Sequence, residues 1–204
     1  QGNHPPDPTR HYGQVGRLFE LYHPAEGAKG VKVGELCDRH NVHPVALSAE
    51  AGRLRLMPPD RDMVIPAGAM LAVYGVGDNV NQAAEKHGFK MQPEIRLFKK
   101  ELSSDFSGLV EAVVPPHSAF IGKTIGAARL RHNFLVAPLA ISREEQPRYD
   151  FLSDITLAAG DAILMHGTWE RLHYLRQRRD FIFTHALDHE VIHPAKAGAA
   201  LACF

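Results

Sequence analysis

The sequence predicts an α+β fold made of two tandem modules, each with the element order β-α-β-β-β-α and a small sheet with helices packed on it. Three observations predict it. The chain has 204 residues, room for two small domains at roughly 100 residues each. A set of identities returns at one constant spacing along the chain. Each copy alternates short aliphatic runs with single helical stretches, punctuated by glycine and proline.

The repeat is concentrated at turn positions. Pro24 returns as Pro116, Gly30 as Gly122 and Gly34 as Gly126. Arg39-His40-Asn41 returns as Arg131-His132-Asn133, Asp62 as Asp154, Ala67-Gly68 as Ala159-Gly160 and Gly75 as Gly167. Apolar positions keep the same register: Val33 with Ile125, Ile65 with Leu157, Leu71 with Ile163. A local two-residue slip lays residues 42–47 over residues 136–141. Internal similarity of this kind points to repeated supersecondary units rather than one continuous domain.

The elements follow in order. A first strand covers 17–22 in copy one and 109–114 in copy two, the latter rich in β-branched residues. A proline closes it. A helix spans 33–40 and 124–132, then a second strand spans 42–48 and 135–142. A loop leads to a short strand at 63–65 and 155–157. Gly68 and Gly160 mark tight turns, where glycine supplies a positive φ, and Asp161 belongs to the second of these turns. The next strand is 70–74 and 162–166, and a closing helix runs over 79–87 and 169–179. The expected organisation is a flexible segment at 1–14, a first module at 15–91, a linker at 92–108, a second module at 109–183, and a C-terminal linker at 184–204.

Composition excludes several classes. Lys plus Arg is 23 and Asp plus Glu is 23, so a nucleic-acid partner, which calls for a basic excess or stripe, is not expected. Two cysteines, Cys37 and Cys203, do not make a disulfide scaffold and fit a reducing compartment. Residues 1–10 hold no apolar run that a signal peptide would need, and no stretch reaches the ~18 apolar residues of a membrane span. Residues 197–204 are small and apolar and read as the start of a longer element.

Copy two carries the motif Gly122-Lys123-Thr124-Ile125, then Val136-Ala137-Pro138-Leu139-Ala140-Ile141-Ser142-Arg143, then Asp154-x-x-Leu157-x-Ala159-Gly160-Asp161-x-Ile163-Leu164. This resembles the TrkA C-terminal domain, the ligand-binding subdomain of RCK regulators of potassium transport. Copy one departs from it, with Ala69 in place of Asp161 and a distinct loop at 53–60. Tandem domains followed by an apolar start resemble the cytosolic region of bacterial transporters similar to the divalent anion–sodium symporter family. The resemblance implies a regulatory, ligand-sensing region on the cytoplasmic face of the bacterial inner membrane. Its partners would be the transmembrane part of the same polypeptide and either a homodimer or an internal pseudo-dimer of the two domains. A gating domain of a potassium channel or uptake system is the alternative within this class; a metal-dependent soluble enzyme is the alternative from another.

Site chemistry is sparse. Residues 71–78 run from a strand through Gly75 and Gly77 into a helix, like the opening of a dinucleotide site. Val80 stands where the third glycine would be, so no NAD is expected. His185, His189 and His193 recur at helical spacing, but Pro194 beside them favours a linker, and no metal site is expected. Nothing assembles a nucleophile with its base, so no catalytic residue is expected. The recurring Arg-His-Asn element is the candidate binding feature: arginine offers a fork for phosphate and asparagine can pair with a base edge. Arg129, Arg131 and Asn133, with Arg39 and Asn41 of copy one, are the candidate ligand residues. Helix C-terminal capping is the competing role. No obligatory cofactor is expected; a regulatory nucleotide such as cyclic di-AMP is the ligand type that the resemblance implies.

Overall fold

A computed structural model describes residues 12, 15–25 and 30–184. The His185, His189 and His193 series, Cys203, the apolar run at 197–204 and nearly all of the 1–14 segment lie outside the described residues.

The first half is built from β1 (Arg17–Tyr22), α1 (Val33–His40), β2 (His43–Ala49), β3 (Leu54–Leu56), β4 (Met70–Gly75), α2 (Gly77–His87) and β5 (Lys90–Met91). The second half follows with β6 (Ser107–Val113), α3 (Ile125–Ala128), α4 (Leu130–Asn133), β7 (Val136–Arg143), β8 (Gln146–Arg148), β9 (Ala162–Thr168), α5 (Trp169–Gln177) and β10 (Ile182–Phe183). Each half forms one antiparallel five-stranded sheet. The orders are β3-β2-β4-β1-β5 and β10-β6-β9-β7-β8, the same order when the second is traversed from its other edge.

Strand periodicity sorts side chains into layers. On β4, Leu71 and Val73 join the core under α1 and α2, while Ala72 on the opposite face joins a second cluster. On β9, Ile163 and Met165 face α3–α5, while Leu164 points the other way. The cluster between the sheets is filled from both halves by Val45, Ala46, Ala72, Ala137, Leu139, Ala140 and Leu164. Four of its ten buried residues are alanines, and Tyr12 and Phe98 are its largest. The result is a helix–sheet–sheet–helix sandwich with three apolar layers.

A buried glutamate ties a flanking segment to this sandwich. Glu20 on β1 is 3% exposed and accepts the backbone N–H groups of Arg96, Leu97 and Phe98. Phe98 and Tyr12 are both carried into the inter-sheet cluster. The segment expected as a plain linker at 92–108 is therefore held, and its last two residues, Ser107 and Gly108, already belong to β6. Gly108 has a packing reason: an added Cβ would sit 2.3 Å from the Trp169 ring.

Three further expectations need correction. The short strands at 63–65 and 155–157 reduce to single bridges, Lys32 with Val64 and Thr124 with Thr156. These segments turn their backbone toward the start of the helix instead of the sheet: Val33 N–H donates to the Met63 carbonyl and Ile125 N–H to the Ile155 carbonyl. The third strand of each sheet comes from the loops, as hairpins β2–β3 and β7–β8. In the second hairpin Glu144 and Glu145 both take positive φ, 51° and 62°, as a two-residue turn requires. Third, the helix expected over 124–132 breaks at Arg129, whose φ of 49° is left-handed; Leu135, expected in a strand, also has positive φ. The closing helices begin at Gly77 and end at Gln177, each two residues from the expected bound.

Candidate functional site

A cavity of about 370 Å³ opens where α1 of the first half meets α3 and α4 of the second. The first half contributes Cys37 and Asp38 from α1, His43 from the start of β2, and the loop Asp60-Arg61-Asp62. The second contributes Ile125, Leu130, Pro138, Leu152 and Ser153, together with Arg129, Arg131 and His132.

Local sequence explains why these groups converge. α1 buries Val33, Leu36 and Cys37, spaced one helical turn apart, so Cys37 points inward. Asn41 ends the helix in the left-handed conformation, φ 51°, as Asn tolerates. In α3, Thr124 Oγ1 accepts the Ala127 N–H at 3.1 Å and so caps the helix start. Gly34 and Gly126 let the loops close down on these helices: an added Cβ would lie 2.9 Å from Arg61 Cγ in one half and 3.0 Å from the Ser153 carbonyl oxygen in the other.

Arg131 is the central cross-link. It is 7% exposed. Its Nη1 donates to the Pro44 carbonyl at 2.5 Å and the Pro59 carbonyl at 3.4 Å, and its Nη2 lies 3.8 Å from Cys37 Sγ. A residue of the second half thus satisfies backbone oxygens of the first. Burial pushes its pKa down; the same burial pushes the Cys37 thiol up, so Cys37 stays protonated. His43 is buried and held well below the usual range, at about 3, by desolvation and then by the Arg131 and Arg61 charges. It is a neutral ring whose Nε2 pairs with Asn41 Oδ1 at 2.7 Å.

Two further contacts cross the cavity rim. His132 Nδ1 and Asp60 Oδ2 are 3.0 Å apart, and Ser153 Oγ donates to Asp38 Oδ1 at 3.3 Å. Asp38 also takes both guanidinium nitrogens of Arg61. Asp60 is held below the ordinary carboxylate range, first by the Asp62 N–H donating to it and then by His132.

The candidate residues therefore fall into two groups. Arg129 and Arg131 line the cavity. Arg131 is committed to the first-half carbonyls, whereas the Arg129 guanidinium is exposed and makes no hydrogen bond or ion pair among the described residues; its charge acts on Asp60 through space. Asn133 turns back to the Ala128 carbonyl at 3.4 Å, and Asn41 is engaged with His43. Arg39 is exposed, pairs with Glu35 at 3.3 Å and faces a neighbouring surface depression with Lys32 and Phe151.

The turn residues behave differently from these. Gly68 and Gly160 have φ of 77° and 89°. Asp161 is 1% exposed; it accepts the Ala158 N–H at 2.8 Å and a bidentate pair from Arg143 at 2.7 and 2.8 Å. In the first half, with Ala69 there, His23 Nδ1 contacts the turn at the Pro66 carbonyl, 3.1 Å away.

Sequence reasoning missed the first-half wall: Cys37, Asp38, Asp60 and Arg61. The available signal was Asp62, matched to Asp154 in the repeat, beside a loop that departs from its partner. Among the described residues no group of three or more His, Cys, Asp and Glu side chains could hold a metal ion, and no helix is long and apolar enough to cross a membrane.

In comparison with known proteins, the TrkA-C domain family model matches residues 109–179. Two curated relatives come from Chlamydomonas reinhardtii. Sodium/sulfate cotransporter 1 is 28% identical over 123 residues, 53% of this chain and 14% of that protein. Sodium/sulfate cotransporter 2 is 27% identical over 127 residues, 55% of this chain and 14% of that protein. The chain thus spans about one seventh of the length of either relative. Among solved structures, the GsuK RCK domain matches 80% of this chain and 64% of its own, at 12% identity and a TM-score of 0.32.

Proposed function

We propose that this chain is a regulatory, ligand-sensing region of a membrane ion transporter polypeptide, and that its two halves act as an internal pseudo-dimer of TrkA-C-like modules. The TrkA-C domain at 109–179 supports the regulatory reading. The partial likeness to two sodium/sulfate cotransporters supports a place within a transporter; a position on its cytoplasmic side belongs to the same proposal. The matching strand orders of the two sheets support the pseudo-dimer and an origin by duplication. On this reading the chain performs no chemistry of its own.

The observation that carries the proposal is the cavity shared by both halves. A ligand seated between Asp60-Arg61-Asp62 and α3–α4 touches both modules at once. It therefore binds one relative arrangement of the halves better than another and shifts their population toward it. Both chain ends then carry that shift to membrane segments of the same polypeptide. The effector class is a nucleotide, for which arginine at an interface supplies the phosphate contact.

Hydrogen exchange measured with and without adenine nucleotides, cyclic di-AMP included, tests this. Bound nucleotide is expected to slow exchange in α1 and in residues 125–133 together. Protection confined to one half, or no change at millimolar nucleotide, would sink the proposal.

A further inference from the structure

We propose that the shared cavity takes a ligand with a single anionic group, of the nucleoside monophosphate class, in preference to a two-fold symmetric diphosphate. This rests on the reading of the cavity as an effector site.

The argument is one of symmetry that the side chains break. Matching the two halves by their repeat pairs Cys37 with Arg129, Asp38 with Leu130, Asp60 with Leu152 and Arg61 with Ser153, and all of these residues line the cavity. The cavity therefore straddles the line relating the halves. A ligand made of two identical anionic parts needs the same cation on both sides of that line. It does not find one. On one side Arg129 offers an uncommitted guanidinium; at the matching position stands the buried thiol of Cys37. The other repeated arginine is no substitute: Arg131 is spent on the Pro44 and Pro59 carbonyls, and Arg39 faces outside the cavity against Glu35.

Charge sharpens the asymmetry. The first-half wall carries three carboxylates, Asp38, Asp60 and Asp62, against one guanidinium, Arg61, which Asp38 already holds. A second phosphate placed there meets like charge without a partner, a costly arrangement in a partly buried site. The same carboxylates favour a group rich in N–H donors. The second-half wall supplies Ile125, Leu130 and Leu152 as an apolar bed. One anionic head on Arg129, a flat ring over the apolar wall, and an amino-bearing edge toward Asp60 and Asp62 is the chemistry of an aminated nucleobase with a single phosphate. The cavity volume of about 370 Å³ sits at the lower end for small-molecule sites, about 300–1,000 Å³, which suits the smaller ligand.

The test is calorimetric titration of the full chain with AMP and, separately, with cyclic di-AMP, repeated on Arg129→Gln and Asp62→Asn. Unfolding curves check that each variant folds; both residues are exposed. AMP is expected to bind at least about tenfold more tightly than cyclic di-AMP. Arg129→Gln should weaken AMP by about tenfold or more, as loss of a charged hydrogen bond does, and Asp62→Asn should narrow the gap by improving the diphosphate. Tighter binding of cyclic di-AMP, or AMP binding indifferent to Arg129→Gln, overturns the single-anion inference and leaves the effector site standing. Binding of neither probe at millimolar concentration overturns both.

Discussion

The two halves of this molecule share one strand order but solve the same local problems with different chemistry. Where the second half fixes its glycine turn with buried Asp161 paired to the half-exposed Arg143, the first packs Ala69 and a histidine ring. Where the first half lines the shared cavity with carboxylates, the second presents leucine and isoleucine. The arginine that recurs in the Arg-His-Asn element is buried as Arg131 and solvated as Arg39. The lesson is that common topology constrains the apolar layers and the positive-φ glycines, because these set how sheets and turns close. It leaves the polar positions free to diverge, provided each buried group keeps a partner. A homodimer would have to satisfy both copies of each residue identically; a single chain with two unequal halves does not.

The largest test of this contrast is the arginine pair. Arg131→Ala leaves the Pro44 and Pro59 carbonyls without their donor and opens a void at the contact between the halves. The expected loss is about 3 kcal/mol in urea-unfolding stability. Arg39→Ala removes only an exposed i,i+4 pair and should stay within about 0.5 kcal/mol. Equal effects at the two sites would show that the halves use this arginine in the same way, against the geometry.

The turn is next. Asp161→Ala should cost about 2 kcal/mol, since it removes three hydrogen bonds to a buried carboxylate while Arg143 returns to solvent. The reciprocal change, Ala69→Asp, puts a carboxylate at a position with 0% exposure, with Ala49 where the second half has Arg143, so it should destabilise too rather than import the stabilising pair. Thermal melts of both variants check it. A stabilised Ala69→Asp protein would mean the first half retains a latent partner for that group.

How much of this was legible in the sequence follows from the range of the forces involved. The three inner strands of each sheet, α1, and both glycine turns could be read because apolar β-branched runs and positive φ are local signals. Leu71 and Val73 sit in an unbroken apolar run, residues 70–74, that marks a strand without marking which face turns to the helices. The loop strands at 54–56 and 146–148 were not legible, since they are held by hairpin pairing that exposed residues such as Arg55 and Gln146 do not advertise. The break at Arg129 was hidden for a related reason: nothing in Ala127-Ala128-Arg129-Leu130 marks a left-handed residue. In the site, Arg131 was legible as a cation repeated from Arg39 and Arg129 as a cation beside it, but their division into one buried and one free group depends on Pro44 and Pro59, far away in the chain. The wall formed by Asp38, Asp60 and Arg61 is a tertiary product with no sequence motif of its own.

The last contrast lies between the sheets, where Tyr74 and His166 occupy matching positions and meet with ring centroids 5.5 Å apart. Burial holds the His166 ring neutral, with its pKa lowered to about 3, and raises the Tyr74 phenol to about 12. His43 is likewise held at about 3. A histidine whose folded pKa is depressed stabilises the fold fully above its ordinary value near 6.5, and that contribution drains away as pH falls from 6.5 toward 3, because the unfolded chain takes up protons that the folded chain refuses. Each of the two histidines should therefore cost about 1 kcal/mol of stability by pH 5.5. His166→Phe should remove its own share of that acid loss, about 1 kcal/mol, while Tyr74→Phe, at the matching position, should leave it intact because phenol does not titrate in this window. Urea midpoints at pH 7.5 and 5.5 for the three proteins decide the matter. If His166→Phe keeps the full acid sensitivity, the inter-sheet layer is wetter than its packing implies, and this matched pair does not distinguish the halves.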